Sequence, residues 1–240
     1  MRQFINTIAI DQPALSQQED YTCHIPCIKN FKRMTITSPI TLFSGENGTG
    51  KSTLLEAIAV NYGFNPEGGS LNFNFSTKDT HSSLGDHLVL GKSGYRPKDS
   101  FFFRAESFYN MATYIEDIGV SLDEYGGTSL HKQSHGESFL NLITKRFRGN
   151  GLYILDEPEA ALSPQRQLSL MICIEELARK GSQFFIATHS PLLLALPHSV
   201  IYSFTDEQIR EVCYEETEAY QITSLFINDR EHMLHELFKD

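Results

Sequence analysis

Apolar residues in this chain fall into short dense runs, separated by turns rich in glycine, proline, asparagine and serine. "MTITSPITLF" (Met34–Phe43) alternates and then closes up, which predicts strand; "STLLEAIAV" puts Leu54, Leu55 and Ile58 on one helical face, with Gly63 as its stop. "FFFRA" (Phe101–Ala105) reads as a buried strand and "SFYNMATYIEDIG" as the helix after it. A loop, "VSLDEYGGTSLHKQ", leads to a second helix from about Glu137, and "GNG" breaks before the strand "LYIL". A helix is predicted from Pro164 to Lys180, with Ser163 as N-cap, Pro164 at the first helical position and Gly181 closing it. Strands "QFFIAT", "VIYSF" and "IREVCY" follow, then a last helix from about Gln221. Strand and helix in alternation predict an α/β fold, with a mixed, largely parallel sheet flanked by helices. Residues 1–44 look strand-rich and add an antiparallel flank. Residues 64–99, rich in Gly, Ser, Asn and Asp, show no period and read as a mobile or functional stretch.

Composition narrows the classes. The chain has 240 residues, 40% of them hydrophobic, enough for one large α/β domain or two small ones with a sizeable core. The longest apolar run, "LLLAL" (Leu192–Leu196), is too short to span a bilayer, and the start reads as a strand rather than a signal peptide. Four cysteines suit free thiols in a reducing cytosol, so a cytoplasmic location is expected. "CHIPC" brings Cys23, His24 and Cys27 close together, but without a second half-site ordinary part-buried thiols are the better reading than zinc. His232 and His235, one helical turn apart with no third ligand in view, read as surface residues. With 20 basic and 30 acidic residues the net charge is −10, so nucleic acid as a partner gains no support from overall charge, and any contact would have to be local. The one dense basic cluster (Lys145, Arg146, Arg148) reads better as a solvated helix end.

Two motifs carry chemistry. Gly45, Glu46, Asn47, Gly48, Thr49, Gly50, Lys51 and Ser52 fit the phosphate-loop pattern G-x-x-x-x-G-K-[ST], with Thr53 following. Glycines let the backbone N–H groups turn inward around phosphate oxygens, and the helix behind points its positive end the same way. Lys51 can reach terminal phosphates and Ser52 can ligate Mg²⁺. "LYILDEPEAALSP" then ends an apolar run in two acids, which places Asp156 and Glu157 at the carboxyl edge of a strand. Asp156 suits the metal's shell, and Glu157 can orient or deprotonate an attacking water. A bare turn is the bland reading of "DEP"; its place about a hundred residues after a phosphate loop favours the functional one.

"QSHGESF" is subtler. Ser134 and Glu137 have capping-box spacing, which accounts for them fully, yet Gly136 leaves N–H groups bare beside the hydroxyl. Here the chain resembles the ATP-binding-cassette (ABC) ATPases, whose LSGGQ-like signature stands before the acidic strand. Ser134 and Gly136 match the family's serine and second glycine, while His135 and Glu137 depart from it. "IATHSP" puts His189 where the family has a switch histidine, and "EAALSP" (Glu159–Pro164) looks like its D-loop, with Ser163 where transporters have aspartate. Glu106 stands nearest the Q-loop position, an acid in place of an amide.

The resemblance covers about two-thirds of the chain, from Ile40 to roughly Ser203, and leans toward the non-transporter branch of SMC-like, RecF-like and OLD-type proteins and stand-alone bacterial ATPases. It implies a single ATPase domain over 1–240, with an insertion at 64–99 and a C-terminal helical segment at 217–240. ATP and Mg²⁺ are the implied cofactors, with Ser52, Asp156 and Glu106 at the metal, and Glu157 and His189 as the catalytic pair. The implied partner is a second copy, whose Ser134 and Gly136 close over the γ-phosphate, together with an unidentified effector. Three rivals stay open: a phosphotransferase of a small metabolite, a transporter's ATP-binding subunit, and a non-hydrolysing nucleotide sensor.

Overall fold

Strand β6 (Gly151–Asp156) is buried at every position, as expected of a strand covered on both faces. In the computed structural model, which describes residues 3–15, 21–71, 82–107, 135–160 and 162–239, it lies second in a six-stranded sheet. The order is β5 (Asp99–Arg104), β6, β7 (Gln183–Ala187), β3 (Ile40–Gly45), β8 (Ser199–Phe204), β9 (Ile209–Val212). All neighbours are parallel except the edge pair β8–β9.

The two-residue period of a strand sorts the aromatic side chains between the faces. Phe101, Phe103, Tyr153, Leu155, Phe184 and Ile186 pack on one side, against the helices His135–Arg146 and Pro164–Arg179. Phe102, Leu152, Ile154, Phe185 and Phe43 pack on the other, against Leu54, Leu55 and Ile58 of the helix Lys51–Tyr62. That helix ends where expected: Gly63 takes a left-handed conformation and its N–H returns to the carbonyls of Ala59 and Val60. Ser163 occupies the N-cap position of the Pro164 helix, but its side chain makes no capping bond.

A second sheet, β2 (Arg33–Thr35), β1 (Ile5–Ile10), β4 (Leu88–Lys92), is antiparallel throughout. It is the expected flank, with two differences. The first 44 residues are not strand throughout: Gln12–Leu15 and Pro26–Asn30 are helical, the second started by Pro26. And β4 comes from the 64–99 stretch. Its run "LVLGK" pairs with β1 from Ile5 to Ile10, so tertiary pairing overrides a composition that favours turns. Gly69 also forms a bridge to Phe102 in β5.

One side chain stitches the two sheets together. Gln183, fully buried in β7, accepts from the N–H groups of Phe4 (2.8 Å) and Ile5 (3.0 Å) and donates to the Ile5 carbonyl (2.9 Å). Among the described residues no helix is long and apolar enough to cross a membrane.

Candidate nucleotide-binding and catalytic site

The phosphate loop bridges the carboxyl end of β3 and the helix Lys51–Tyr62. Gly45 has φ +142°, and a Cβ there would stand 2.3 Å from the Phe204 carbonyl oxygen, so the turn passes too close to β8 for any side chain. Within the loop the Glu46 carbonyl accepts from Lys51 Nζ (2.7 Å) and Thr49 Oγ1 (2.8 Å). Lys51 is buried, which pulls its pKa down, while the nearby carboxylates of Glu157, Asp156 and Glu159 push the other way. From beneath, Cys27 donates its thiol to the Thr49 carbonyl (2.9 Å). Cys23 instead donates to the Leu15 carbonyl, so the "CHIPC" thiols serve separate backbone groups. Among the described residues no cluster of three or more His, Cys, Asp and Glu could hold a metal by itself. In the basic cluster of Lys145, Arg146 and Arg148, Arg146 pairs with Asp99 at the start of β5.

Ser52 and Asp156, 104 positions apart in the chain, meet through a Ser52 Oγ–Asp156 Oδ1 hydrogen bond of 2.9 Å. Burial pushes the Asp156 carboxyl up to about 6, against the Ser52 hydrogen bond and the Arg104 charge that hold it down. Two hard oxygen donors together, one a buried carboxylate short of positive charge, fit a Mg²⁺ ion, which prefers oxygen ligands.

Glu157, the next residue, has φ +48°, a left-handed backbone that side-chain-bearing residues rarely adopt. Its N–H donates to the Ala187 carbonyl (2.9 Å) and so follows β7, while its carboxylate stays half-exposed. Oε1 lies 3.6 Å from His189 Nε2, and that buried nitrogen has no hydrogen-bond partner among the described residues. Burial and the Lys51 charge lower the His189 pKa, against the opposing carboxylates of Glu157 and Glu159. Burial and the Lys51 charge thus favour the neutral imidazole.

Glu159 was not read from the sequence as a site residue. Its Oε1 accepts from Thr188 Oγ1 (2.7 Å), His189 N (2.6 Å) and Ser190 N (3.1 Å), while Oε2 is buried without a partner among the described residues. One carboxylate thus pins the turn after β7 to the turn after β6. A third acid in "DEPE" was the available signal.

Comparison with known proteins fits this geometry. Residues 22–102 match a family described as "AAA domain", and residues 118–195 one described as "AAA domain, putative AbiEii toxin, Type IV TA system". The xylose import ATP-binding protein XylG of Moorella thermoacetica is 24% identical over 72% of this chain and 39% of its own length. The thiamine import ATP-binding protein ThiQ of Vibrio cholerae is 25% identical over 62% of this chain and 68% of its own. For the arabinose import ATP-binding protein AraG of Escherichia coli the figures are 28%, 60% and 32%. The chain is thus similar to the ATP-binding subunits of ABC importers and to P-loop domains of the AAA type. A solved ATP-binding cassette of an ABC transporter aligns over 85% of this chain and 90% of its own at 17% identity, with a TM-score of 0.42.

The remaining candidates lie along the same sheet edge. Glu106 sits two residues past β5, whose last residue, Arg104, stands in register with Asp156. Its exposed carboxylate is engaged by Arg104, which also grips Glu56 (2.7 Å), and its charge reaches Asp156. Ser134 lies outside the described residues. Gly136 is in the first turn of the helix His135–Arg146. That helix runs antiparallel to β5, since Phe139 stacks on Phe103 near the strand's end (3.9 Å) and Arg146 pairs with Asp99 at its start. Gly136 is therefore carried to the carboxyl edge of the sheet, but at β5, three strands from the phosphate loop on β3. At the usual strand spacing that is roughly 14 Å.

Proposed function

We propose that this chain binds Mg·ATP at the Gly45–Ser52 loop and hydrolyses it, and that two copies do so together as a switch. The observation that carries the hydrolytic part is the convergence of Ser52 with Asp156 at 2.9 Å beside the Glu157–His189 pair at 3.6 Å. Lys51 neutralises the terminal phosphates, and loop N–H groups and the helix N-terminus hold their oxygens. Ser52 and Asp156 would hold the magnesium ion, which supplies charge neutralisation at the β- and γ-phosphates. Glu157 takes the proton of the attacking water. His189, neutral and held by Glu159 through its backbone, donates to the γ-phosphate. Glu106 would complete the metal's water shell from the β5 edge.

The placement of Gly136 supports the paired arrangement. A segment three strands from its own loop cannot close over the same phosphates, whereas it can close over those of a facing copy. ATP then bridges two surfaces of donors, and loss of the γ-phosphate releases them. Glu157→Gln should bind ATP, dimerise and stall. Wild-type turnover by that variant would remove Glu157 from its assigned role. Wild-type protein that stays monomeric with ATP while turning over would remove the paired mechanism.

A second reading has support of its own. Relatives named as sugar and thiamine import ATP-binding proteins make an import system's ATP-binding subunit the alternative to a free-standing switch in DNA maintenance or defence. The serine at Ser163, where transport subunits carry aspartate, favours the non-transporter branch. Co-purification of the trapped Glu157→Gln form with a membrane protein or with a soluble effector separates the two.

A further inference from the structure

At the far end of the Lys51–Tyr62 helix, away from the phosphate loop, lies a cavity of about 380 Å³ walled by Tyr62, Leu71, Tyr95 and Pro97, with Lys92 and Arg96 at its rim. We propose that this cavity is a second ligand site that takes a nucleotide unit, a heteroaromatic ring with its phosphate, either free or within a single-stranded nucleic acid.

Charge is the first argument. In a chain of net charge −10, the lining carries two cations and no acid among the described residues. An anion repelled by most of the surface meets its local complement here. Lys98, two residues beyond Arg96, is exposed on the same segment. Shape is the second. The volume falls in the range of small-ligand sites, and the walls are apolar and aromatic with few polar groups, the usual make-up of a pocket that buries a ring. The exposed Tyr95 ring (55% accessible) offers the stacking surface.

The cations are arranged differently from each other. Lys92 is already ordered: its ammonium lies 4.9 Å from the Tyr62 ring centroid and donates to the Asn61 carbonyl (3.0 Å). Arg96 has no hydrogen-bond or ion-pair partner among the described residues, although its charge reaches the Tyr62 hydroxyl. A planar guanidinium without a carboxylate is suited to clasp a phosphate with two parallel bonds. Lys92 then holds the Tyr62 wall and Arg96 supplies the grip.

The test uses the full chain with its phosphate loop saturated by Mg·ADP, so that only a second site is read. A fluorescein-labelled deoxythymidine octamer should raise its anisotropy on titration with protein. Two phosphate contacts predict a salt slope near −1.4, which is about a sevenfold loss of affinity from 50 to 200 mM salt. Arg96→Glu should weaken binding by about tenfold or more, and Tyr95→Ala by about fivefold or more, the scale of one lost base stack. Nucleotide affinity at the loop should not change in either variant. Adenosine monophosphate that displaces the octamer at millimolar concentration assigns the site to free nucleotides; failure to displace assigns it to a strand. If the octamer does not bind, or binds Arg96→Glu and Tyr95→Ala as it binds wild type, the proposal is overturned. Equal displacement by pyrophosphate, with Tyr95→Ala unaffected, reveals a mere cationic surface and overturns it too.

Discussion

The carboxylate of Glu159 holds the backbone N–H of His189 at 2.6 Å, joining the turn after β6 to the turn after β7. Three donors share that one oxygen, Thr188 Oγ1 and Ser190 N being the others. Bonds to a charged acceptor in a buried setting are each worth about 1.5–3 kcal/mol. The imidazole of His189 is thus positioned by its main chain, not through its own ring.

That arrangement predicts a split in kinetics. Glu159→Ala should lower kcat by about 10- to 100-fold, on the scale of losing one such bond, while ATP affinity stays within about twofold. Glu159→Gln keeps an oxygen in place and should recover most of the rate. Single-turnover hydrolysis beside equilibrium ATP binding makes the comparison. A matching loss of affinity in Glu159→Ala would show that the carboxylate merely holds the fold.

Asp156 predicts a pH dependence. Burial holds its carboxyl at about 6 in the folded chain, against an ordinary value of 3.8. Below pH 4 it is protonated folded or unfolded and has no effect. Between pH 4 and 6 the unfolded chain ionises first, so this group makes stability fall as pH rises, by roughly 2–3 kcal/mol in all, and the penalty stays constant above pH 6. A bound Mg²⁺ needs the ionised form, so metal-dependent nucleotide affinity should fall as pH drops through 6. Thermal melts with and without Mg·ADP from pH 5 to 8 check both arms. Asp156→Asn should melt higher than wild type at pH 7 without ligand, and should gain little from Mg²⁺.

Glu157 predicts a trade between stability and activity. Its left-handed backbone costs about 1 kcal/mol relative to glycine. Glu157→Gly should unfold in urea at a midpoint no lower than wild type, with hydrolysis abolished. A midpoint well below wild type would mean that the carboxylate contributes to folding rather than only to chemistry.

Gln183 predicts the opposite. It serves three backbone groups of Phe4 and Ile5, so Gln183→Leu leaves them buried and unpaired. The expected loss is roughly 3 kcal/mol or more, read by urea unfolding. ATP binding at temperatures where the variant is folded should change little, because the stitch lies at the opposite end of β7 from His189.

What the sequence determined by itself is everything whose chemistry is contiguous. The phosphate loop needs its glycines, lysine and serine side by side, so "GENGTGKS" could be read directly, as could the strand that ends in Asp156 and Glu157. Helix ends marked by Gly63, Pro164 and Gly181 were legible for the same reason, since capping acts within a turn. The tertiary structure decided what depends on distant partners. No local pattern reports that Ser52 meets Asp156, that Glu159 reaches the turn at His189, or that Gln183 crosses to β1. Strand β4 was hidden because its polar, glycine-bearing surroundings lack a period of their own, and pairing with β1 gives it order. Hydrogen bonds between segments a hundred residues apart are specified by the packing of the sheet, and a linear pattern carries no trace of them until that sheet has formed.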